Sequence, residues 1–318
     1  MIAIIEITKK CNLHCRHCGI GERGKDLPLS ALLHGLASLK DRFNDFRFVG
    51  GEPLTTPDRL EKAIDLVTAW GKPVNITTNG LLIKQLRHRL ENWNLYGVCL
   101  SVDGSATSHD TQRGKVGAFA AVREAGHILA ELGIRIQVSL CLTRLNYQDI
   151  GEVYKFCEEV RADFLRIQPM VPLQERNLEI LLPPHELKVA LQDCAKIRGT
   201  VDVLVPRNLC LLPQAEHCVA GELWIYVCSD GVVMPCIYAP LPIGHLGADP
   251  ADVLIERAKF KEPALGCRTC EHYLSCRGGC RGGSLMYYGD INAPDPNCWI
   301  AKDNGYIEQF LADKNPTI

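Results

Sequence analysis

Apolar positions along the chain alternate between two rhythms. Ile2-Ala-Ile-Ile-Glu-Ile-Thr8 opens with a dense apolar run of strand character, and Ser30 to Phe43 then carries Leu32, Leu33, Leu36, Leu39 and Phe43 at helical spacing. Phe46 to Val49 reads as a short buried strand, Pro57 to Trp70 as a helix, Val74 to Thr78 as a strand, Leu81 to Asn92 as a helix and Tyr96 to Val102 as a strand. The pattern continues with a helix over Phe119 to Leu132, a strand over Ile134 to Leu142, a helix over Tyr147 to Val160 and a strand over Phe164 to Ile167. Strands separated by helical patterns imply right-handed crossovers and a parallel sheet. The expected fold is therefore α/β, a partial (β/α)6 barrel of the TIM type.

After Gln168-Pro169 this rhythm stops. Pro184 to Ile197 reads as a helix and Val201 to Pro206 as an extended bridge, beyond which cysteines and glycines crowd the chain. The expected organisation is a barrel over residues 1–206 and a small cysteine-rich domain over residues 207–318. Within the latter, Leu223 to Val227 and Val232 to Met234 flank Ser229-Asp-Gly231, a β-hairpin with its turn glycine. Trp299 to Ala312 is apolar-periodic and reads as a helix packed back on the barrel.

At 318 residues the chain can bury one large core or two ordinary ones, and its 47% hydrophobic content, 23% charged content and net charge of -2 offer no basic stripe for nucleic acid. The N-terminus enters a strand without the regions of a signal peptide, and no apolar segment approaches the ~18 residues needed to span a bilayer. The expectation is a cytoplasmic protein with no nucleic-acid or membrane partner. In that reducing compartment 16 cysteines point to metal rather than to disulfides. Cys99, Cys141, Cys157 and Cys194 lie within apolar patterns and read as small buried hydrophobes.

Cys11, Cys15 and Cys18 stand on the loop after the first strand, with three and then two residues between them. Thiolates favour soft metals, and zinc or a cubane iron–sulfur cluster normally takes four ligands, so three on one loop leave a position open. A structural zinc loop is the alternative. Downstream, Gly50-Gly51-Glu52-Pro53 closes the second strand; its glycines permit close backbone approach, and Glu52 offers a carboxylate to a cationic amine.

The triplet and the Gly-Gly-Glu-Pro stretch together resemble the radical S-adenosylmethionine (radical SAM) superfamily. In that family three cysteines hold a [4Fe-4S] cluster and SAM chelates the fourth iron. The resemblance implies that Gly50, Gly51, Glu52 and Pro53 grip the SAM amino group. Cys11 to Cys18, Glu52, Asn79, Ser101 and Asp103 all end or follow expected strands, where barrel chemistry collects. Ser101-Val-Asp103-Gly104 and His109-Asp110-Thr-Gln-Arg113-Gly114 resemble motifs of the subfamily with extra clusters, which implies that Ser101 and Asp103 face SAM and that Arg113 meets its carboxylate. Without the family, Asp103-Gly104 reads as a turn and His109, Asp110 and Arg113 as a solvated helix start. His17 stands where the family commonly has an aromatic residue, which leaves an extra ligand or an acid–base role open.

Cys267, Cys270, Cys276 and Cys280 form a second group, with Cys218, Gly231 and Cys236 upstream and Cys298 downstream. This arrangement resembles the SPASM extension of radical SAM enzymes. The resemblance implies two auxiliary [4Fe-4S] clusters, three clusters in all: Cys218, Cys236 and Cys280 on the first, and Cys267, Cys270, Cys276 and Cys298 on the second. For the fourth ligand of the first, Cys210 is preferred over Cys228, and an open iron that binds substrate is the third option. A zinc module is the alternative for the paired cysteines.

By the resemblance, one electron cleaves SAM to methionine and a 5′-deoxyadenosyl radical, which takes a hydrogen atom from the substrate. The auxiliary clusters then accept an electron, for a net two-electron oxidation. An external low-potential donor such as flavodoxin or ferredoxin is implied. The leading expectation is a peptide maturase that oxidises or crosslinks a peptide or protein. The alternative is a dehydrogenase acting on a carbinol of a small molecule such as an aminocyclitol or sugar. Two features weigh toward the latter: the chain begins at the first barrel strand without a leader-recognition module, and Ile237 stands where sulfatase-maturing relatives place an aspartate. Oxidising a hydroxyl needs a base, for which Tyr238 and His245 are the candidates, although either suits packing or surface. A non-catalytic iron–sulfur or zinc protein is the remaining class, against which the Gly50–Pro53 stretch argues.

Overall fold

Along three strands of the sheet one face is sealed and the other is not, whereas the two strands between them, Val74–Thr78 and Gly97–Ser101, are buried nearly throughout. In β5 (Ile136–Leu142), Ile136, Val138, Leu140 and Leu142 are buried while Gln137, Ser139 and Cys141 are only partly so. In β2 (Asp45–Val49), Phe46 and Phe48 are buried between half-exposed Asp45, Arg47 and Val49. β6 (Phe164–Pro169) repeats the pattern with Leu165 and Ile167. A parallel sheet covered on both faces carries near-continuous apolar strands. The alternation here means that helices cover one face alone, and that the other lines a polar hollow.

The computed structural model describes residues 1–19, 25–205, 218–260, 265–298, 300 and 301. Cys210 and nearly all of the helix expected over Trp299 to Ala312 lie outside the described residues. The remaining strands are β1 (Ile2–Glu6), β3 (Val74–Thr78), β4 (Gly97–Ser101), β7 (Asp202–Leu204), β8 (Trp224–Val227), β9 (Val232–Met234) and β10 (Gly244–His245). Together they form one ten-stranded sheet in the order β10-β9-β8-β1-β2-β3-β4-β5-β6-β7. Neighbours from β1 to β7 all pair in parallel, as the partial barrel requires.

Between the strands run α1 (Leu29–Leu39), α2 (Pro57–Thr68), α3 (Arg87–Leu90), α4 (Ala106–Arg113), α5 (Ala118–Glu131), α6 (Ile150–Glu159) and α7 (Pro184–Cys194). Their apolar stripes, such as Leu60, Ile64 and Val67 of α2 or Val122 and Leu129 of α5, join the sealed strand face in a single core. Beyond β10 lie α8 (Ala251–Ala258), α9 (Leu265–Arg268), α10 (Tyr273–Cys276) and α11 (Arg281–Tyr288). Among the described residues no helix is long and apolar enough to cross a membrane.

Three elements differ from the sequence pattern. The helix expected over Leu81 to Asn92 shrinks to α3, because residues 81–86 form tight turns: the Leu86 N–H is shared between the carbonyls of Leu82 and Ile83 as those side chains turn into the core. The extended bridge after Val201 is a seventh parallel strand, with Asp202 to Leu204 opposite Phe164 to Arg166. The hairpin follows residue 206 in the chain yet joins the barrel sheet, since β8 pairs in parallel with β1, Ile2 opposite Trp224. Its partners are separated by more than two hundred residues, so no local periodicity could reveal the pairing.

α4 is buried on the side where a solvated helix start was expected, with Ser108, His109, Gln112 and Arg113 all sealed. Gly114 stops it in the left-handed conformation at φ 69°. His109 Nδ1 accepts the Asp103 N–H at 3.0 Å. Burial, with Arg113 nearby, pushes the pKa of His109 down to about 4.

At the C-terminal ends of β1 and β2 the two loops touch through backbone. Gly51 N–H donates to Thr8 O and Glu52 N–H to Lys10 O, each at 2.7 Å. A Cβ on Gly51 would lie 2.4 Å from the carbonyl oxygens of both Lys9 and Lys10. Only glycine fits there. Gly51→Ala is expected to lower unfolding free energy by about 1–3 kcal/mol, whereas Gly151→Ala, at an open helical position, should raise it by about 0.5 kcal/mol; urea unfolding of the two variants checks both signs. His109 generates a pH prediction. Its folded pKa lies below the unfolded value, so its contribution is full above the ordinary histidine range near pH ~6.5 and is lost as the pH falls toward about 4. His109→Gln should flatten the stability–pH curve across that window, and an unchanged slope would reject the assignment.

Candidate active site

The cysteine loop is pinned from four sides. The Gly50-Gly51 backbone supports its start, and Arg16 N–H donates to Gln112 O of α4 at 2.8 Å. Asn177 Nδ2 donates to Arg16 O at 2.8 Å, and Arg176 Nη2 to Cys18 O at 3.1 Å. Cys11 is exposed, Cys15 buried and Cys18 half-buried. Although Cys11 is exposed as a residue, desolvation of its sulfur pushes the thiol up to about 11, with Glu52, Cys15 and Cys18 adding to the rise. Burial also raises Cys15, against the opposing pull of Arg113. Among the described residues no three His, Cys, Asp or Glu side chains converge on the position of a single ion. Three thiols on one pinned loop, with a guanidinium beside them, are a donor set that fits an iron–sulfur cluster; binding would displace the thiol protons.

Glu52 is buried at the end of β2 and accepts three hydrogen bonds, from Leu54 N–H at 3.0 Å, Thr78 Oγ1 at 2.7 Å and Asn79 N–H at 2.8 Å. Burial raises its pKa in spite of these donors. A carboxylate has about four acceptor sites. Three are committed to aiming it, which leaves about one for a cationic amine. Asn79 itself bridges outward, with Nδ2 donating to Asn12 Oδ1 at 2.8 Å and Oδ1 accepting from Leu81 N–H at 3.0 Å. Pro53 opens the short 3-10 turn that follows.

Asp103 and Arg113 form a buried ion pair, Oδ2 to Nη2 at 2.7 Å. Asp103 Oδ1 also accepts the Cys141 N–H at 2.9 Å. Burial alone would raise this carboxyl, but Arg113, His17, His109 and the Cys141 N–H together outweigh it and hold Asp103 below the usual carboxylate range. The other arm of Arg113 directs Nη1 at Cys15 Sγ, 3.9 Å away. His17 Nδ1 lies 3.9 Å from Asp103 Oδ2, and burial pushes its pKa down to about 4, so it is neutral at neutral pH. Sequence reasoning missed the support beneath this pair. Gln112 Nε2 and Asn146 Nδ2 both donate to Cys141 O at 2.9 Å, and Thr143 Oγ1 donates to Gln112 Oε1 at 2.6 Å. The available signal was Gln112, which sits inside the His109–Gly114 stretch. Cys141 is not the sealed hydrophobe expected; it lies half-buried on the hollow face, whereas Cys157 and Cys194 are fully in the core.

Ser101 is half-buried on the same face, opposite Ser139 of β5. In the C-terminal part, Cys218, Cys236 and Cys280 lie within electrostatic reach of one another; burial pushes Cys236 up to about 12 and raises Cys280 well above the ordinary thiol range. Cys267 is likewise raised to about 12 by burial, with Cys298, Cys276 and Cys270 as its charged neighbours. Buried Asp295 links the two sets: its Oδ2 accepts the Cys280 N–H at 2.6 Å, and its carbonyl accepts the Cys298 N–H at 2.9 Å. Cys228 packs with Tyr226 and Met234 in a small apolar cluster. Tyr238 stands beside Cys236 and Cys280 and within reach of Cys141 and Cys18, where burial pushes its phenol far above the ordinary range. His245 is exposed on β10, its backbone N–H bonded to Asp249 at 2.9 Å, and is not brought to the cysteines.

Residues 5–157 match the radical SAM superfamily. The AdoMet-dependent heme synthase of Nitratidesulfovibrio vulgaris is 26% identical over 92% of this chain and 90% of its own length. Mycofactocin maturase MftC of Mycobacterium tuberculosis is 27% identical over 96% of this chain and 84% of its own. The crystal structure of Streptococcus suis SuiB bound to precursor peptide SuiA shares the fold, with a TM-score of 0.73 at 16% identity over 92% of this chain and 74% of that one. With its cysteine triplet, its Gly-Gly-Glu-Pro loop and a cysteine-rich C-terminal region of the SPASM type, the chain belongs to the radical SAM superfamily of enzymes.

Proposed function

We propose that this enzyme oxidises or crosslinks a peptide bound in the polar hollow of its barrel. The observation that carries the reading is the convergence of Cys15, Arg113, Asp103 and Glu52 at the rim of that hollow. When bound, the cluster on Cys11, Cys15 and Cys18 together with SAM supplies one-electron cleavage of the sulfonium and a carbon radical able to take a hydrogen atom. The chain's own residues orient and shield. Glu52 offers its remaining acceptor site to the SAM amine, and Asn79 and Ser101 flank it at the ends of β3 and β4. Arg113 sets a fixed positive charge beside Cys15 and offers its free edge to the SAM carboxylate, while Asp103 holds the guanidinium in place.

Cys218, Cys236 and Cys280, and Cys267, Cys270, Cys276 and Cys298, would hold two auxiliary clusters that take the electron left after hydrogen abstraction. A low-potential external donor such as flavodoxin or ferredoxin would supply the first electron. A peptide substrate is supported by the likeness to a mycofactocin maturase and to SuiB, solved with a precursor peptide. The second reading, a small molecule, is favoured by the likeness to a heme synthase. Its carbinol form gains little from the structure, since burial keeps the Tyr238 phenol protonated and His245 lies exposed on β10.

The test is anaerobic formation of 5′-deoxyadenosine from SAM, with peptide-sized and small-molecule fractions of host extract added separately; stimulation by the small-molecule fraction alone would overturn the peptide reading. Cys15→Ala should abolish that product and lower the iron content from about twelve to about eight atoms per chain. Retained SAM cleavage would reject the triplet as its site. Arg113→Gln strands buried Asp103 and should destabilise the fold by about 3–5 kcal/mol. The double variant with Asp103→Asn should recover part of that loss in urea unfolding, and strictly additive losses would show that the two do not act as a pair.

A further inference from the structure

The hollow face of the sheet carries a cation that no described residue neutralises. Arg166 of β6 stands opposite Ser139 of β5, which stands opposite Ser101 of β4, so the three share one row on the polar face. The Arg166 guanidinium does not reach for the strand ends. It lies over the Phe164 ring, 5.4 Å from the centroid, two residues back along its own strand. The curl of the sheet brings Arg47 of β2 toward it from the far side, and Cys99 of β4 lies within electrostatic reach of both guanidinium groups.

The charges there do not balance. Arg47 is paired with Asp45, Nη2 to Oδ2 at 3.1 Å. Cys99 is buried and its thiol is shifted up, so it stays neutral. Nearby Asn75 and Gln137 are neutral and turned to each other at 3.5 Å. Among the described residues the Arg166 side chain has neither an ion pair nor a hydrogen bond, and burial together with Arg47 weakens its hold on its proton. A partly dehydrated guanidinium without a counter-ion is costly, and a ligand anion would relieve that cost. One uncompensated positive charge matches a monoanion, and the planar fork of arginine matches a carboxylate with two parallel hydrogen bonds. The carboxylate of SAM is not the candidate, because Arg113 and Glu52 stand at the strand ends beside the cysteine loop, whereas Arg166 turns away from them.

We propose that Arg166, backed by Arg47, anchors a carboxylate of the substrate inside the hollow, so that the enzyme acts on a carboxylate-bearing substrate. This rests on the reading of the hollow as the substrate chamber. The carboxylate is that of a peptide, at its C-terminus or on an acidic side chain, or of a small organic acid. Two probe pairs separate these sources: N-acetylglycylglycine with its C-terminal amide, and butyrate with butyramide. Each is titrated calorimetrically into the reconstituted, SAM-loaded holoenzyme without reductant.

An acid is expected to bind saturably in the millimolar range while its amide does not, and the tighter acid identifies the source. Arg166→Gln should weaken that binding about tenfold or more, and Arg166→Lys should restore part of it by keeping the charge. No saturable binding of either acid, equal binding of acid and amide, or unchanged binding by Arg166→Gln would each overturn the proposal. The titration requires no turnover. A wild-type protein that binds the acid yet forms no 5′-deoxyadenosine would reject the catalytic reading and leave the anchor standing; turnover without acid binding would do the reverse.

Discussion

Burying Arg113 and Asp103 together costs several kcal/mol per ion in lost hydration, and their 2.7 Å contact offsets that cost only when the remaining hydrogen-bonding groups are also engaged. The architecture meets that condition in part, since Arg113 Nε stays buried without a hydrogen-bond partner. Asp103 has its second oxygen on Cys141 N–H, and Arg113 has its second arm on the Cys15 sulfur. Gln112, Thr143 and Asn146 tie α4 to the loop after β5 directly beneath. The pair thus couples β4, α4, β5 and the cysteine loop into one unit. Displacing any of them would strand a charge in a dry interior, so the position of Cys15 is held by the energetics of the fold and not by its loop alone.

A second constraint shapes the sheet. Because the hollow face must remain free for cofactor and substrate, most apolar strand residues crowd onto the outer face, where the helices cover them, while Ile4, Val49, Tyr226 and Met234 form a small separate cluster. The hollow is then lined with serines, amides, half-buried thiols and two arginines, groups that would be out of place in an ordinary parallel core. Water or ligand must satisfy what the chain leaves open. Arg166 is the clearest case, since its charge has no partner among the described residues.

The cysteine-rich half is attached to this hollow rather than hung beyond it. β8 extends the sheet at the β1 edge, and Tyr226 of that strand donates to Glu6 Oε2 at 2.9 Å. Tyr238 then stands near Cys236 and Cys280 on one side and Cys18 and Cys141 on the other. Gly282 makes that approach possible, because a Cβ there would lie 2.3 Å from the Tyr238 carbonyl oxygen. Asp295 holds the loops of Cys280 and Cys298 in fixed relation.

What could be read from the sequence was what is encoded by neighbours. The α/β alternation follows from periodicities within single elements, and the superfamily follows from cysteine spacing within one loop and from a tetrapeptide at one strand end. Such signals survive in a linear string because the atoms they bring together are only a few residues apart. The tertiary structure decided the rest. Arg113 and His109 read locally as a solvated helix start, yet they are buried because Asp103, on another element, supplies the charge and the donor that make burial tolerable. Asp202 to Leu204 lies in a stretch without the length and alternation of a clear strand, and becomes one only because β6 offers an unpaired edge. The union of β8 with β1 and the lone charge of Arg166 depend on which strands the curl of the sheet sets side by side. No window of sequence contains that curl, because it is a property of the whole packed chain.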